Sequence, residues 1–328
     1  MTLTIVITNY NRPKIILSVL DSIFEQSLRD IAIDVLIIDD CSSDPIDPKD
    51  LEKYGDKVKV HRLEQNSGVN AARNIGCKLA TGDFVMRADD DDPFVEGGLQ
   101  RAFDAIFSLE NWQKHNAFGF MNTNAMHIPF DDFFFWDEET FIKYREDYMS
   151  LGGDFVYIYQ RKLCDFNYET SEITKAIGAE SYGVIRNFVK YYDPSNACPM
   201  WKIAVTKLGE AATNRLTNPD NALLKAKDFA RWQQAEIEEL EETGFDRKMP
   251  KYYRRRIKGL FIYLLLDNRR REALNVLRKK PLGIVVKSFL FLLAIFPPKV
   301  IHWLLKRYRE FVALPFVKRL LVAIAARA

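Results

Sequence analysis

The sequence predicts an α/β fold with a mainly parallel sheet and helices on both faces, followed by a basic helical region. Three observations carry this expectation. Short apolar, β-rich runs at 3–9, 33–38, 58–63 and 83–88 alternate with stretches of helical spacing, which is the pattern of β-α-β units and parallel strands. Three of these runs end in polar clusters, Thr8-Asn9, Asp39-Asp40 and Asp89 to Asp92. In open α/β sheets ligands bind beyond the carboxyl ends of the strands, so the clusters should meet on one edge. From Lys251 onward the composition turns basic and apolar together.

The first run stops at Asn9-Tyr10-Asn11-Arg12-Pro13, and residues 14 to 28 follow with Ile15, Ile16, Val19, Leu20, Ile23 and Phe24 on one helical face. The second run, Ile33 to Ile38, ends in Asp39-Asp40 and a Cys-Ser-Ser-Asp-Pro loop. After the third, Val58 to Leu63, Ser67 stands where it could cap a helix from about Val69 to Leu79. The fourth follows a Thr81-Gly82 break and leads into the aspartates, then an amphipathic helix from about Phe94 to Leu109. Residues 117 to 250 are less regular. Strands are expected near Ala117 to Met126 and Phe155 to Leu163, with a helix at Glu138 to Met149 between them and another from about Asn221 to Glu242. Helices are then expected at Tyr252 to Leu266, Arg270 to Lys279, Gly283 to Phe296, Lys299 to Ala313 and Phe316 to Ala326. The chain thus divides into 1–250, itself in halves 1–110 and 111–250, and a helical tail 251–328.

At 328 residues, 48% hydrophobic and 28% charged, the chain has ample core and no low-complexity tract. Its net charge of +2 conceals an asymmetry: residues 251–328 hold 19 Lys+Arg against 3 Asp+Glu, and the remainder 28 against 42. An acidic body with a basic tail points to an anionic partner surface. The tail is too apolar for a phosphate-tracking surface, so nucleic acid is not expected. Leu282 to Phe296 is only 15 residues long and contains Lys287, short of the ~20 a spanning helix needs. With Trp303 among Lys306, Arg307 and Arg309, segment 282–328 instead suits the interface of an anionic membrane. Its apolar faces could otherwise pack on the body or on a second subunit, as a homo-oligomer. Cys41, Cys77, Cys164 and Cys198 match no zinc spacing, and the first residues read as a strand rather than a signal peptide. A cytoplasmic protein, peripheral on the inner face of the cell membrane, is the expectation.

Four adjacent carboxylates at a strand end repel one another and need a cation, strong donors or full solvation. Oxygen-only ligands suit Mg2+ or Mn2+, which in turn hold phosphates. A solvated acidic turn is the alternative for an isolated run.

Four segments, taken in order, resemble the family 2 glycosyltransferases and their GT-A nucleotide-sugar-binding fold. They are Ile5-Val-Ile-Thr-Asn-Tyr-Asn-Arg-Pro13, Ile37-Ile-Asp-Asp-Cys-Ser-Ser-Asp44, Asn66-Ser-Gly-Val-Asn-Ala-Ala-Arg-Asn-Ile-Gly76 and Gly82 to Asp92. The resemblance implies transfer of a sugar from a nucleotide sugar, UDP-linked by family habit, to a hydroxyl of a lipid-linked or cell-surface glycan, with inversion. It implies that Thr8, Asn9, Tyr10 and Arg12 line the nucleotide pocket and that Asp40 accepts from a base N–H. Arg73 would hold an aspartate or a diphosphate oxygen, and Asn66 would support the pocket. Asp89 would face the ribose and share the Mn2+ or Mg2+ with Asp91, its direct ligand, while alternation along the strand turns Asp90 aside into the nucleotide-binding set. Arg87 departs from the family pattern and has no account from sequence.

An inverting transfer needs a base within reach of the acceptor hydroxyl. The family's Glu-Asp pair is matched best by Glu180-Ser181, making Glu180 the expected base; Asp228 and Asp154 are the alternatives. Two rival classes stand beside this reading. A sugar nucleotidyltransferase would carry a Gly-rich amino-terminal loop, which Asn9 to Pro13 is not. A non-catalytic scaffold at the membrane would bind no nucleotide.

Overall fold

The computed structural model describes residues 1–148, 154–164, 188, 192–209, 223 and 225–312, with side chains as far as Tyr308. They belong to two compact units. One takes in Met1–Phe141, Tyr148–Ser171 and Tyr192–Ala212; the other takes in Ile142–Asp147, Glu172–Tyr191 and Thr213–Ala328.

The first unit is built on an eight-stranded sheet: β1 (Thr2–Asn9), β2 (Ala32–Asp39), β3 (Val58–Arg62), β4 (Phe84–Asp89), β5 (Ala117–Asn122), β6 (Phe133–Trp136), β7 (Phe155–Gln160) and β8 (Cys198–Thr206). Their order is β3-β2-β1-β4-β7-β5-β8-β6. All run one way except β6 and β7, so the expected mainly parallel α/β sheet is present. Helices α1 (Ile15–Phe24), α2 (Val69–Leu79) and α3 (Gly98–Ser108) connect the early strands. β1 reads as a continuous apolar run because both its faces are covered. Leu3, Ile5 and Ile7 share one core with Ile16, Val19, Leu20 and Ile23 of α1 and Leu99, Phe103 and Ile106 of α3. Val6 packs on the other face with Ile38, Ala72, Cys77 and Val85. β3, at the sheet edge, exposes Lys59, His61 and Arg62, the charged side chains that discourage edge-to-edge pairing.

The chain winds outward from β1 to β2 to β3 and then returns to place β4 on the other side of β1. The crevice between β1 and β4 is therefore the topological switch point of the sheet. Its register sets Thr8 opposite Asp89, which delivers the two polar strand ends side by side. α2 packs closely on the neighbouring face of β1 and β2. A Cβ at Gly76 would collide with Val6 Cγ1 and lie 2.9 Å from Ile38 Cγ1. Gly76→Ala is expected to cost about 1–3 kcal/mol in urea unfolding; an unchanged midpoint would show that the helix can lift freely.

Several elements differ from expectation. Ser67 does not cap α2: the N-cap is Gly68, at φ 82°, without a side-chain bond, and Ser67 Oγ donates to the Gln65 carbonyl. α3 starts four residues late, because Gly97 takes a left-handed conformation at φ 62°. The helix expected from Glu138 is α4 (Glu138–Lys143), continued by a π-turn at Tyr144–Tyr148. β6 and β8 were not anticipated. The helix expected at Phe316 to Ala326 lies outside the described residues.

The second unit is helical: α5 (Ala226–Thr243), α6 (Pro250–Leu266), α7 (Arg270–Lys279), α8 (Ile284–Leu293) and α9 (Pro298–Val312). It takes in α5, ahead of the composition change at Lys251. Fully buried Glu236 on α5 accepts from Arg256 Nε at 3.0 Å and from the Tyr252 hydroxyl, both on α6. A buried charge needs such partners to persist. The first turn of α6, with Pro250 at its start, has its Lys251 and Tyr252 N–H groups taken up by the Glu146 carboxylate at 3.1 and 2.7 Å.

Candidate active site

The carboxyl ends of β1, β2 and β4 carry the site. Asn9 is buried, and its Nδ2 donates to Asp90 Oδ2 at 2.9 Å and to the Arg12 carbonyl at 3.1 Å. One guanidinium nitrogen of Arg12 lies 3.0 Å from Asp90 Oδ1 and 2.7 Å from Asp91 Oδ2. Arg73, from α2, pairs with Asp89 at 2.5 Å. Asn9, Arg12, Arg73 and the aspartates expected from sequence are therefore brought together. Thr8 stands in the same register row as Asp89, and Tyr10 is exposed just beyond β1.

The aspartates are not arranged as alternation suggested. β4 ends at Asp89 and the chain turns at Asp90 and Asp91, so the strand period stops there. Asp90 is not turned aside. It is the most buried of the four and shares Arg12 with Asp91, while Asp89 is half exposed beside Arg73. Asp92 is held as well: Oδ2 accepts from Asn122 Nδ2 and Oδ1 from Gly209 N, each at 3.0 Å. Gly209 fits tightly, since a Cβ there would collide with the Asp91 carbonyl oxygen.

Burial pushes the Asp90 carboxyl up to about 7, and the charges of Asp91 and Asp89 add to it against the pull of Arg12. The ion-pair distance alone would argue for a depressed value. One guanidinium shared by two carboxylates cannot offset burial for both, so the upward direction stands. Burial likewise pushes Asp92 up to about 6. A carboxyl raised in the folded state holds its proton more tightly there than in the unfolded chain. Its effect is to lower stability as pH rises from about 4 to about 7, by about 1.4 kcal/mol per unit at most. Without divalent metal, the unfolding temperature should fall between about pH 5 and 7, and Asp90→Asn should flatten that slope. A slope unchanged by Asp90→Asn would contradict this electrostatic picture.

Asp40 is held by the loop that enters α2. It is buried, and its two oxygens accept from Ser67 N at 2.7 Å and Gly68 N at 2.9 Å. Asn66 Nδ2 donates to the Asp40 carbonyl at 3.2 Å. Asp40 thus shapes the loop entering α2, holding the two amides just ahead of the helix. Its neighbour Asp39 accepts from Ser42 N at 2.9 Å and from Arg62 at 2.6 Å. Asn11, at φ 54°, accepts through Oδ1 from the Ser43 and Asp44 backbone, tying the β1 loop to the β2 loop.

Of the three candidate bases, Glu180 lies outside the described residues and Asp228 stands in the first turn of α5, in the helical unit. Asp154 lies at the acidic edge. Its carboxylate accepts from Asn124 Nδ2 at 2.7 Å, and its carbonyl accepts from Asn122 N, the residue that also holds Asp92. Arg87 gains an account: it projects on the α2 side of β4 and donates to the Tyr159 hydroxyl at 2.7 Å, over the Tyr159 ring.

The residues fit a divalent ion. Oxygens of Asp90 and Asp91 converge on one cationic point, where a hard cation could take the place of the guanidinium. Among the described residues no three carboxylate, imidazole or thiol groups form a ready metal cage, so an ion here would draw further ligands from substrate oxygens and water.

The model of the family "Glycosyl transferase family 2" matches residues 4–139. The chain is 38% identical over 133 residues to the uncharacterized glycosyltransferase YwdF of Bacillus subtilis, covering 40% of this chain and 45% of that protein. It is 37% identical over 95 residues to the poly(ribitol-phosphate) beta-N-acetylglucosaminyltransferase TarS of Staphylococcus aureus, covering 28% of this chain and 16% of TarS. The chain thus spans less than half the length of these relatives. The crystal structure of S. aureus TarS residues 1-349 superposes with a TM-score of 0.53 at 19% identity, covering 84% of this chain and 79% of that one. A mannosyltransferase from Pyrobaculum calidifontis, solved with GDP-Man and Mn2+, gives a TM-score of 0.51 at 15% identity over 99% of this chain and 85% of that one. These likenesses show a GT-A-like fold. The acidic strand end, its arginines and the switch point all lie inside residues 4–139, the stretch of the chain that is similar to glycosyl transferase family 2.

Proposed function

We propose that this protein is a metal-dependent, inverting glycosyltransferase. It moves a sugar from a nucleotide sugar, a UDP-sugar by preference, to a hydroxyl of a lipid-linked or cell-surface glycan. The observation that carries this is the convergence of Asn9, Arg12 and Arg73 on Asp89, Asp90 and Asp91 at the switch point of the sheet. Support for UDP comes from TarS, which has been solved in complex with UDP.

In this reading Thr8, Asn9, Tyr10 and Asn66 border the nucleotide, and Asp40 positions the loop that closes over the base. Arg73 holds Asp89 toward the ribose side, and Asn9 fixes Asp90. Asp91, with Asp89 as the resemblance implies and with Asp90 where Arg12 now bridges the two, would hold Mn2+ or Mg2+, whose charge would offset that of the departing diphosphate. The acceptor hydroxyl attacks the anomeric carbon from the face opposite the nucleotide. The bond from that carbon to the diphosphate oxygen breaks, and its electron pair leaves with the nucleotide. Glu180 takes the hydroxyl proton, with Asp154 the alternative already at the acidic edge. Residues 1–110 serve the donor and residues 111–250 the acceptor. The basic tail places the enzyme on the cytoplasmic face of a membrane.

Donor-panel assays of hydrolysis and transfer, with and without chelator, test the reading. Turnover of one nucleotide sugar that chelator abolishes and Mn2+ restores is the expected result. A chain that binds no nucleoside diphosphate by calorimetry would be a scaffold instead. Gly209→Ala, which pushes on the Asp91 carbonyl, should reduce turnover about tenfold or more through a displacement of this size; full activity would detach residue 209 from the site.

A further inference from the structure

Helix α8 (Ile284–Leu293) is inverted with respect to solvent. Its exposed arc carries Ile284, Val285, Phe289, Phe291 and Leu292, between 57% and 81% exposed, and Ile295 just beyond is 63% exposed. Its buried side offers Leu290, with Lys287 half-buried. An ordinary surface helix has the reverse pattern, and soluble monomers seldom expose so large a contiguous apolar surface. The exposed arc continues into α9 with Trp303 and Tyr308, and Arg307 lies over the Trp303 ring at 6.0 Å.

We propose that α8, with the start of α9, lies in the plane of an anionic lipid bilayer, with its apolar arc among the acyl chains. This deepens the proposed membrane location by naming the surface and the lipid charge it needs. Charge decides the occupant. From Arg270 to Val312 there are ten Lys and Arg against two Asp and Glu, so anionic headgroups complement the rim of the patch. A second copy docking through the same face would set two cationic surfaces against each other. Length decides the orientation. Ten residues of helix span about 15 Å, half the hydrocarbon thickness, and no described helix is long and apolar enough to cross a membrane. A cleft of about 570 Å³ between α7 and α8 has Leu274, Leu277, Phe291 and Leu292 for walls and Arg278 and Lys287 beside them. Acyl carbon against cationic rim is the amphiphile's own pattern.

The full chain is tested by co-sedimentation with phosphatidylcholine vesicles and with mixed phosphatidylcholine–phosphatidylglycerol vesicles. Binding to the mixed vesicles should be about tenfold tighter or more, and salt should weaken it. Phe289→Asp and Ile295→Asp should each lower that binding about tenfold or more, while Val60→Asp, an exposed apolar residue of β3, changes nothing. Because the altered residues face solvent, unfolding temperature and nucleoside diphosphate binding should stay unchanged. Those readouts keep a failure of this proposal separate from a failure of the enzymatic one. Equal binding by wild type and Phe289→Asp, or no binding to either vesicle, would overturn it. So would a solution dimer that Phe289→Asp splits, since the face would then join two copies.

Discussion

Asp91→Ala is expected to lower sugar transfer by about two to three orders of magnitude, the scale on which one lost group that stabilises developing charge is felt. Asp91 shares Arg12 with Asp90, so the substitution also frees the guanidinium to serve Asp90 alone. The protein should then remain folded, or gain stability at neutral pH, while losing metal-stimulated binding of the nucleoside diphosphate. That split between stability and binding is the signature of a functional carboxylate. A variant that unfolds but retains turnover per folded molecule would assign Asp91 to the scaffold.

The second large effect concerns the base. Glu180→Gln should lower kcat about 10²–10⁴-fold, as general-base losses do, and leave nucleotide affinity intact. The amide preserves shape and removes only the proton acceptor. Asp154→Asn is the necessary companion, because Asp154 is joined through Asn124 to Asn122, the residue that grips Asp92. If Glu180→Gln turns over normally while Asp154→Asn stops transfer, the base is Asp154. If both are active, the role passes to Asp228.

The amino-terminal half of the sheet was legible because its signals are local. β1, β2 and β4 read as apolar runs, broken in β2 by Asp34 and in β4 by Arg87, and the polar residues that end them lie at the crevice by register. Strands β6 and β8 gave no such signal. Phe133–Trp136 is four aromatic residues without alternation, and β8 opens with Cys198-Pro199, where proline argues against an interior strand. Asn122 and Gly209 were invisible for another reason: they reach Asp92 from 30 and 117 residues away. Nothing in their immediate sequence marks them. The acidic run was found, but its internal geometry was misread because strand alternation was carried past Asp89. The composition change at Lys251 did not mark the edge of the helical unit, since acidic α5 and basic α6 are matched by the Glu236–Arg256 pair.

Crystals grown with Mn2+ and UDP would test the central claim most directly, through the anomalous signal of the metal. The prediction is a single strong peak between the Asp91 carboxylate and the diphosphate, with Arg12 withdrawn from at least one of its two aspartates. A nucleotide bound with Asp90 and Asp91 still closed on Arg12, and manganese absent from that edge, would contradict it.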